Sequence, residues 1–288
     1  MSILVDEQEG LFVTQALEVH VVHTCNLHCD GCKHYSNYNH SGRLDPATYR
    51  DWITGWAKKI KPQKMRLLGG EPTLHPDLIS FLYITREVWP DTSIFITTNG
   101  YFLDRHPLLF EAMKDTNARL SMSIHSNDLA YRAKTDPIRA AIRKHREESG
   151  IDLMETDVTE VWTKNYHGTG ATMKPYQDGA PQESWKHCSA KNCMQLHENR
   201  LWKCGPLAYL EMQLEKFDLL DDPDWHPYLN YQSLGLEASP EEMRAFLSKG
   251  PESACAMCPA APPHIKDKTT DWKQSFNSKT KTSGSKAA

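Results

Sequence analysis

The sequence predicts an α/β fold on a parallel sheet, open or barrel-like. Two observations predict it. Strand and helix patterns alternate five times between residues 17 and 158, with short connections, as βαβ units do. The residues of unusual chemistry fall on loops that follow strands, the rim where parallel sheets bind ligands.

LEVHVVH (17–23) reads as the first strand and runs into the loop HTCNLHCDGCKHYS. In LDPATYRDWITGWAKKI, Asp45 suits an N-cap and Pro46 the first helical position. Tyr49, Trp52, Ile53, Trp56 and Ile60 then recur at helical spacing. KMRLLGG (64–70) is a short strand ending in glycines. HPDLISFLYITREVW is the second helix, with Leu78, Phe81, Leu82 and Thr85 on one face and Pro90 as its stop. SIFITTNG (93–100) and ARLSMSIHS (118–126) are strands, with the short helix HPLLFEAMKD between them. The next helix is expected to break at Asp136–Pro137 and to stop at Gly150. IDLMETDV is the fifth strand. Residues 163–187 read as loop, 194–203 as a hairpin turning at Glu198–Asn199, and 239–250 as a helix capped by Ser239 and stopped by Gly250. Residues 266–288, with six lysines against two aspartates, read as a disordered tail.

The composition, 39% hydrophobic and 24% charged over 288 residues, is that of a globular chain. A net charge of −4 supplies no basic field for nucleic acid. No apolar run is long enough to cross a membrane, and the N-terminus lacks the basic and apolar stretches of a signal peptide. The expected location is cytoplasmic.

Eight cysteines in such a chain point to metal or redox chemistry before disulfides. Cys25, Cys29 and Cys32 form C-x3-C-x2-C on one loop. Cys188, Cys193, Cys204, Cys255 and Cys258 form a late group, with none between. Three thiolates suit a 4Fe–4S cluster that keeps one iron for an outside ligand, because such a cluster usually takes four. A zinc site completed by His28 or His34 is the alternative for the first group. A four-cysteine zinc site is the alternative for the late one.

The C-x3-C-x2-C loop followed by Gly69-Gly70-Glu71-Pro72 resembles the radical S-adenosylmethionine superfamily. The resemblance covers most of the first 160 residues. It implies a partial (β/α)6 TIM-like barrel at 17–185, after an N-terminal extension (1–16). It implies that Cys25, Cys29 and Cys32 hold a 4Fe–4S cluster whose open iron chelates S-adenosylmethionine. Reductive cleavage there yields a 5′-deoxyadenosyl radical that abstracts hydrogen from substrate. By the same resemblance Gly69, Gly70, Glu71 and Pro72 contact the methionine amino group. Asn99, in Thr98-Asn99-Gly100, lies near the cofactor, and Ser123 lies by the ribose or carboxylate. The family's usual aromatic before the third cysteine is here Gly31, so His34 or Tyr35 would take over the adenine contact.

The late cysteines resemble the family's shortened auxiliary-cluster domain, called twitch, here a small α+β domain at 186–265. Cys188, Cys204, Cys255 and Cys258 would hold a second 4Fe–4S cluster, with Asn199 in the place of the pattern's glycine. Cys193 is then spare, a substitute for Cys188, or a hydrogen-atom donor. His125 is a further candidate for substrate contact, and Trp162 and Tyr166 line a pocket or pack in the core.

The expected reaction is oxidation or rearrangement of a small sugar- or aminocyclitol-like substrate, with the second cluster as electron acceptor. The alternatives are a peptide-modifying enzyme and a non-catalytic iron–sulfur or zinc protein. Only about 16 residues precede the first strand, so no fused peptide-recognition domain is expected. The enzyme reading implies a low-potential electron donor, flavodoxin- or ferredoxin-like.

Overall fold

The computed structural model describes residues 4–6, 10–157, 163–188 and 190–262. Trp162 and the lysine-rich tail lie outside the described residues. The elements are β1 (Leu4–Asp6), β2 (Leu11–Thr14), β3 (Leu17–Val22), α1 (Pro46–Trp56), β4 (Ile60–Pro62), β5 (Lys64–Gly69), α2 (Leu78–Val88), β6 (Ser93–Thr98), α3 (Leu109–Asp115), β7 (Arg119–Ile124), α4 (Leu129–Ser149), β8 (Leu153–Asp157), α5 (Pro181–Lys186), β9 (Met194–His197), β10 (Arg200–Trp202), α6 (Gly205–Ala208), α7 (Leu210–Lys216), α8 (His226–Leu229) and α9 (Pro240–Leu247).

One seven-stranded sheet organises them in the order β10-β9-β3-β5-β6-β7-β8. Every neighbouring pair is parallel except the β9–β10 hairpin. Six parallel strands with helices between the first five fit a partial TIM-like barrel. Alternation along the strands sorts the two faces. Leu17, Val19 and Val21 of β3 join Met65, Leu67, Ile94, Ile96 and Leu120 in one core with Tyr49, Ile53 and Trp56 of α1 and Phe81 and Leu82 of α2. Glu18 and His20, at the alternate positions of β3, are buried among polar partners instead.

The structure differs from the sequence reading in four places. First, β1, β2 and β4 form a small separate sheet. Strands of three and four residues carry too little periodicity to be read from sequence. Second, α4 is a single 21-residue helix that runs through Pro137. Asp128 caps it by accepting from Ala130 N and Tyr131 N. Arg132 and Arg139 reach Asp136 from both sides, at 3.7 and 2.8 Å. Arg139 and Arg143 also clamp Glu155 of β8. Each such pair contributes at most about 1 kcal/mol, and together they work against the cost of about 3 kcal/mol for an interior proline. Third, α9 ends at Leu247 with Ser248 as its C-cap, short of Gly250, whereas Gly150 (φ 74°) does cap α4. Fourth, residues 163–187 contain α5.

The hairpin turns at Glu198 and Asn199, both at positive φ (50° and 56°), as a two-residue type I′ turn requires. It adds to the main sheet, with Leu17 opposite Met194. A second core also draws on both parts of the chain, packing Tyr35, Tyr166 and Met173 with Leu207, Tyr209, Leu214, Trp225, Tyr228 and Met257.

Candidate functional site

The cysteine loop leaves the carboxyl end of β3. Successive backbone bonds, Cys32 N to Cys29 O and Tyr35 N to Cys32 O (both 3.2 Å), coil it tightly. Gly31 (φ 74°) supplies a left-handed turn within it, a conformation that a bulky residue adopts only at a cost. Backbone N–H groups point at the sulfurs: Leu27 N donates to Cys25 Sγ at 3.4 Å. Burial pushes the Cys32 thiol up, while the N–H groups of His34, Ser36, Asn37 and Tyr35 oppose that by favouring the thiolate. Amides aimed at a sulfur are what a bound thiolate requires.

The loop after β5 seats against this one. A Cβ on Gly69 would stand 2.1 Å from Val22 O, and one on Gly70 would stand 2.1 Å from Thr24 O. The two glycines therefore serve the approach of one backbone to another. Gly70 N bonds Val22 O (2.8 Å) and Glu71 N bonds Thr24 O (2.9 Å). Glu71 is buried, and burial raises its pKa. Its carboxylate accepts from Thr73 N (3.1 Å), Thr73 Oγ1 (2.5 Å), Thr98 Oγ1 and Asn99 N (2.8 Å). Asn99 in turn donates to Asn26 Oδ1 at 2.8 Å. Glu71 thus ties the ends of β5 and β6 to the cysteine loop.

These loops enclose a cavity of about 240 Å³ lined by Cys25, Cys29, Cys32, Gly69, Gly70, Glu71, Asn99, Ser123 and His125. His125 Nδ1 lies 3.5 Å from Cys29 Sγ. Pro72 stands behind the lining, in the short 3-10 turn that follows. Tyr35 is not brought to the cavity. It sits at φ 58°, 1% exposed, and its hydroxyl donates to Pro206 O at 3.2 Å. His34 does reach the cavity wall.

Sequence reasoning missed Ser36, Asn37 and Thr97, which also line the cavity. Their side-chain oxygens are buried with no hydrogen-bond partner among the described residues. Buried polar atoms are normally paired, so this wall suits a polar ligand. Three thiols, amides aimed at sulfur and orphaned oxygens fit a cluster with a polar cofactor beside it. Only Thr97, next to the TNG element, carried a usable signal in the sequence.

A second cavity, about 50 Å³, is lined by Cys188, Cys204, Cys255 and Cys258. Burial raises the Cys204 thiol well above its usual range and pushes Cys258 up to about 12. Cys193 lies outside this lining. Its thiol bonds the Glu18 carboxylate, and burial with that carboxylate pushes it up to about 12. Among the described residues, no three Cys, His, Asp or Glu side chains are placed to hold a single metal ion.

Between the hairpin and β3 lies an aromatic and imidazole cluster. His20 stacks on Tyr209 (centroids 4.0 Å apart), and His20 Nδ1 is 3.2 Å from His23 Nδ1. His197 packs on Tyr209 at 4.8 Å. Glu18 accepts from Gln195 Nε2 (2.6 Å) and faces Arg66 (3.7 Å) and His34 (3.9 Å). Tyr166 is buried, its hydroxyl 3.2 Å from that of Tyr38.

Comparison with known proteins finds a family model that matches part of the chain. Residues 19–156 match the Radical SAM superfamily model. A GTP 3′,8-cyclase of Aquifex aeolicus is 31% identical over 117 residues, 39% of this chain and 35% of that protein. One of Aliarcobacter butzleri is 26% identical over 143 residues, 48% of this chain and 43% of that protein. The chain thus spans less than half the length of these curated relatives. Among solved structures, BtrN in complex with AdoMet and 2-DOIA is similar at a TM-score of 0.44 and 16% identity, covering 82% of this chain and 88% of that one. Streptococcus suis SuiB bound to S-adenosylmethionine gives 0.37 and 12%, over 82% and 67%.

Proposed function

We propose that this chain, which carries a Radical SAM superfamily domain over residues 19–156, is an enzyme that removes a hydrogen atom from a small polar, sugar- or aminocyclitol-like substrate. Oxidation or rearrangement follows. The observation that carries the reading is the convergence of Cys25, Cys29 and Cys32 with Glu71, Asn99 and Ser123 on one cavity at the strand ends.

Cys25, Cys29 and Cys32 would hold a 4Fe–4S cluster beside S-adenosylmethionine, and Cys188, Cys204, Cys255 and Cys258 a second 4Fe–4S cluster. When bound, these groups supply a 5′-deoxyadenosyl radical and a one-electron acceptor. The chain supplies position. Glu71 fixes the loops that face the cofactor, and the orphaned oxygens of Ser36, Asn37 and Thr97 offer it polar contacts. Ser123 and His125 stand on the wall next to Cys29, where a substrate hydroxyl would be held and water kept out. Cys193 is bonded to Glu18 and left outside the second ligand set.

The test is an iron and sulfide count after oxygen-free reconstitution. Wild type should hold about eight irons and the Cys25/Cys29/Cys32→Ala variant about four. Only the former should form 5′-deoxyadenosine. Cys188→Ser should lose iron from the second site, and Cys193→Ser should keep it. Cofactor cleavage by the triple variant would refute the assignment.

A further inference from the structure

A second groove, of about 320 Å³, shares Trp185, Lys191 and Lys203 with the wall of the four-cysteine cavity. Its floor is apolar and aromatic, with Tyr231 and Phe246, and Lys249 joins the lysines that line it. No Asp or Glu is among its lining residues. Glu252 pairs with both Lys203 (2.7 Å) and Lys249 (3.2 Å). One carboxylate thus answers two ammonium groups, and Lys191 adds a further exposed positive charge. The Lys203 ammonium also lies 4.4 Å from the Trp185 ring centroid. The patch is therefore basic on a chain whose net charge is −4.

Field complementarity steers charged partners to such a patch. An aromatic floor within a lysine rim suits the rim-and-core anatomy of a transient protein contact. A carrier seated there would be separated from the cysteine sulfurs by the shared wall alone. We propose that this groove is the docking surface for an acidic one-electron carrier protein of the flavodoxin or ferredoxin class, and that electrons cross to or from the second cysteine site beneath Trp185. The inference rests on the reading of Cys188, Cys204, Cys255 and Cys258 as a cluster site. One electron crosses: a reduced cluster is oxidised as the carrier is reduced, or, in the direction tested below, the carrier is oxidised as the cluster is reduced, and no atom moves.

The test uses the reconstituted full chain and follows bleaching of the second cluster in a stopped-flow mixer. Two reductants are compared: an acidic flavodoxin, fully reduced, and reduced methyl viologen, a small cation. Lys191→Glu, and Lys191→Glu combined with Lys249→Gln, change the rim and leave the ion pair of the more buried Lys203. At low ionic strength the variants should react with flavodoxin at least about tenfold more slowly, as loss of steering implies. Salt should slow the wild type and have less effect on the variants. The rate with methyl viologen should stay within twofold. An unchanged flavodoxin rate at full iron content overturns the proposal. Equal slowing with both reductants also overturns it, because the cluster would then have changed and not the docking. An iron count of about four in the wild type, taken before any carrier is added, would instead overturn the cluster reading and this proposal with it.

Discussion

At the scale of residues, chemistry was more legible than direction. The spacing of the cysteines and the GGEP run identify a site because few structures need three thiols on one loop. What a side chain touches depends on backbone that sequence does not display. Tyr35 looks like a replacement aromatic for the cavity, yet its left-handed backbone sends the ring to Tyr166 and Pro206. Glu71 reads as a cofactor ligand, and its carboxylate is already taken by four protein donors. Glu71→Gln puts a donor where an acceptor is needed. It should cost about 2–3 kcal/mol, read as a lower urea midpoint. An unchanged midpoint would mean the carboxylate does not hold the loops. The imidazoles give a pH dependence. Burial lowers His197 to about 4, and burial reinforced by neighbouring histidines does the same to His23. An unfolded histidine takes its proton near pH 6.5 and these folded ones near 4, so between those values the unfolded chain binds more protons. Stability should then fall as pH drops from about 6.5 towards 4, by about 2 kcal/mol per group at pH 5. In His197→Gln the loss of melting temperature between pH 7 and 5 should be smaller than in wild type. An identical loss would assign the acid sensitivity elsewhere.

At the scale of elements, five strands with the four helices between them and the hairpin were legible because periodicity, caps and turn residues agreed. Asp45 caps α1 by accepting from Ala47 N and Thr48 N, and Ser239 with Glu242 forms the capping box of α9. The unbroken course of α4 was not legible. The proline rule is local, and the arginines that oppose it reach across to Asp136 and to Glu155 on another strand. Pro137→Ala restores a helical N–H and should stabilise the chain by about 1–2 kcal/mol, less than the full propensity difference because proline also restricts the unfolded chain. Thermal unfolding reads this, and a lower melting temperature would mean that the ring itself packs usefully.

At the scale of the whole molecule, the parallel sheet was foreseen, and the way its ends are joined was not. That β9 lies beside β3 depends on pairing across more than 170 residues of chain, which no window of sequence reports. The second core likewise packs Tyr35 with Met257. Among the described residues, no helix is long and apolar enough to cross a membrane. The glycine pair at 69 and 70 has a consequence for anyone who wishes to redesign the cavity. Where a single methyl group would strike a carbonyl oxygen at 2.1 Å, the scaffold is a fixed jig that admits no alternative letters. Ser36, Thr97 and Ser123 line the same cavity with polar side chains of their own. A library confined to those three positions could vary the cavity's shape and polarity while leaving the jig untouched.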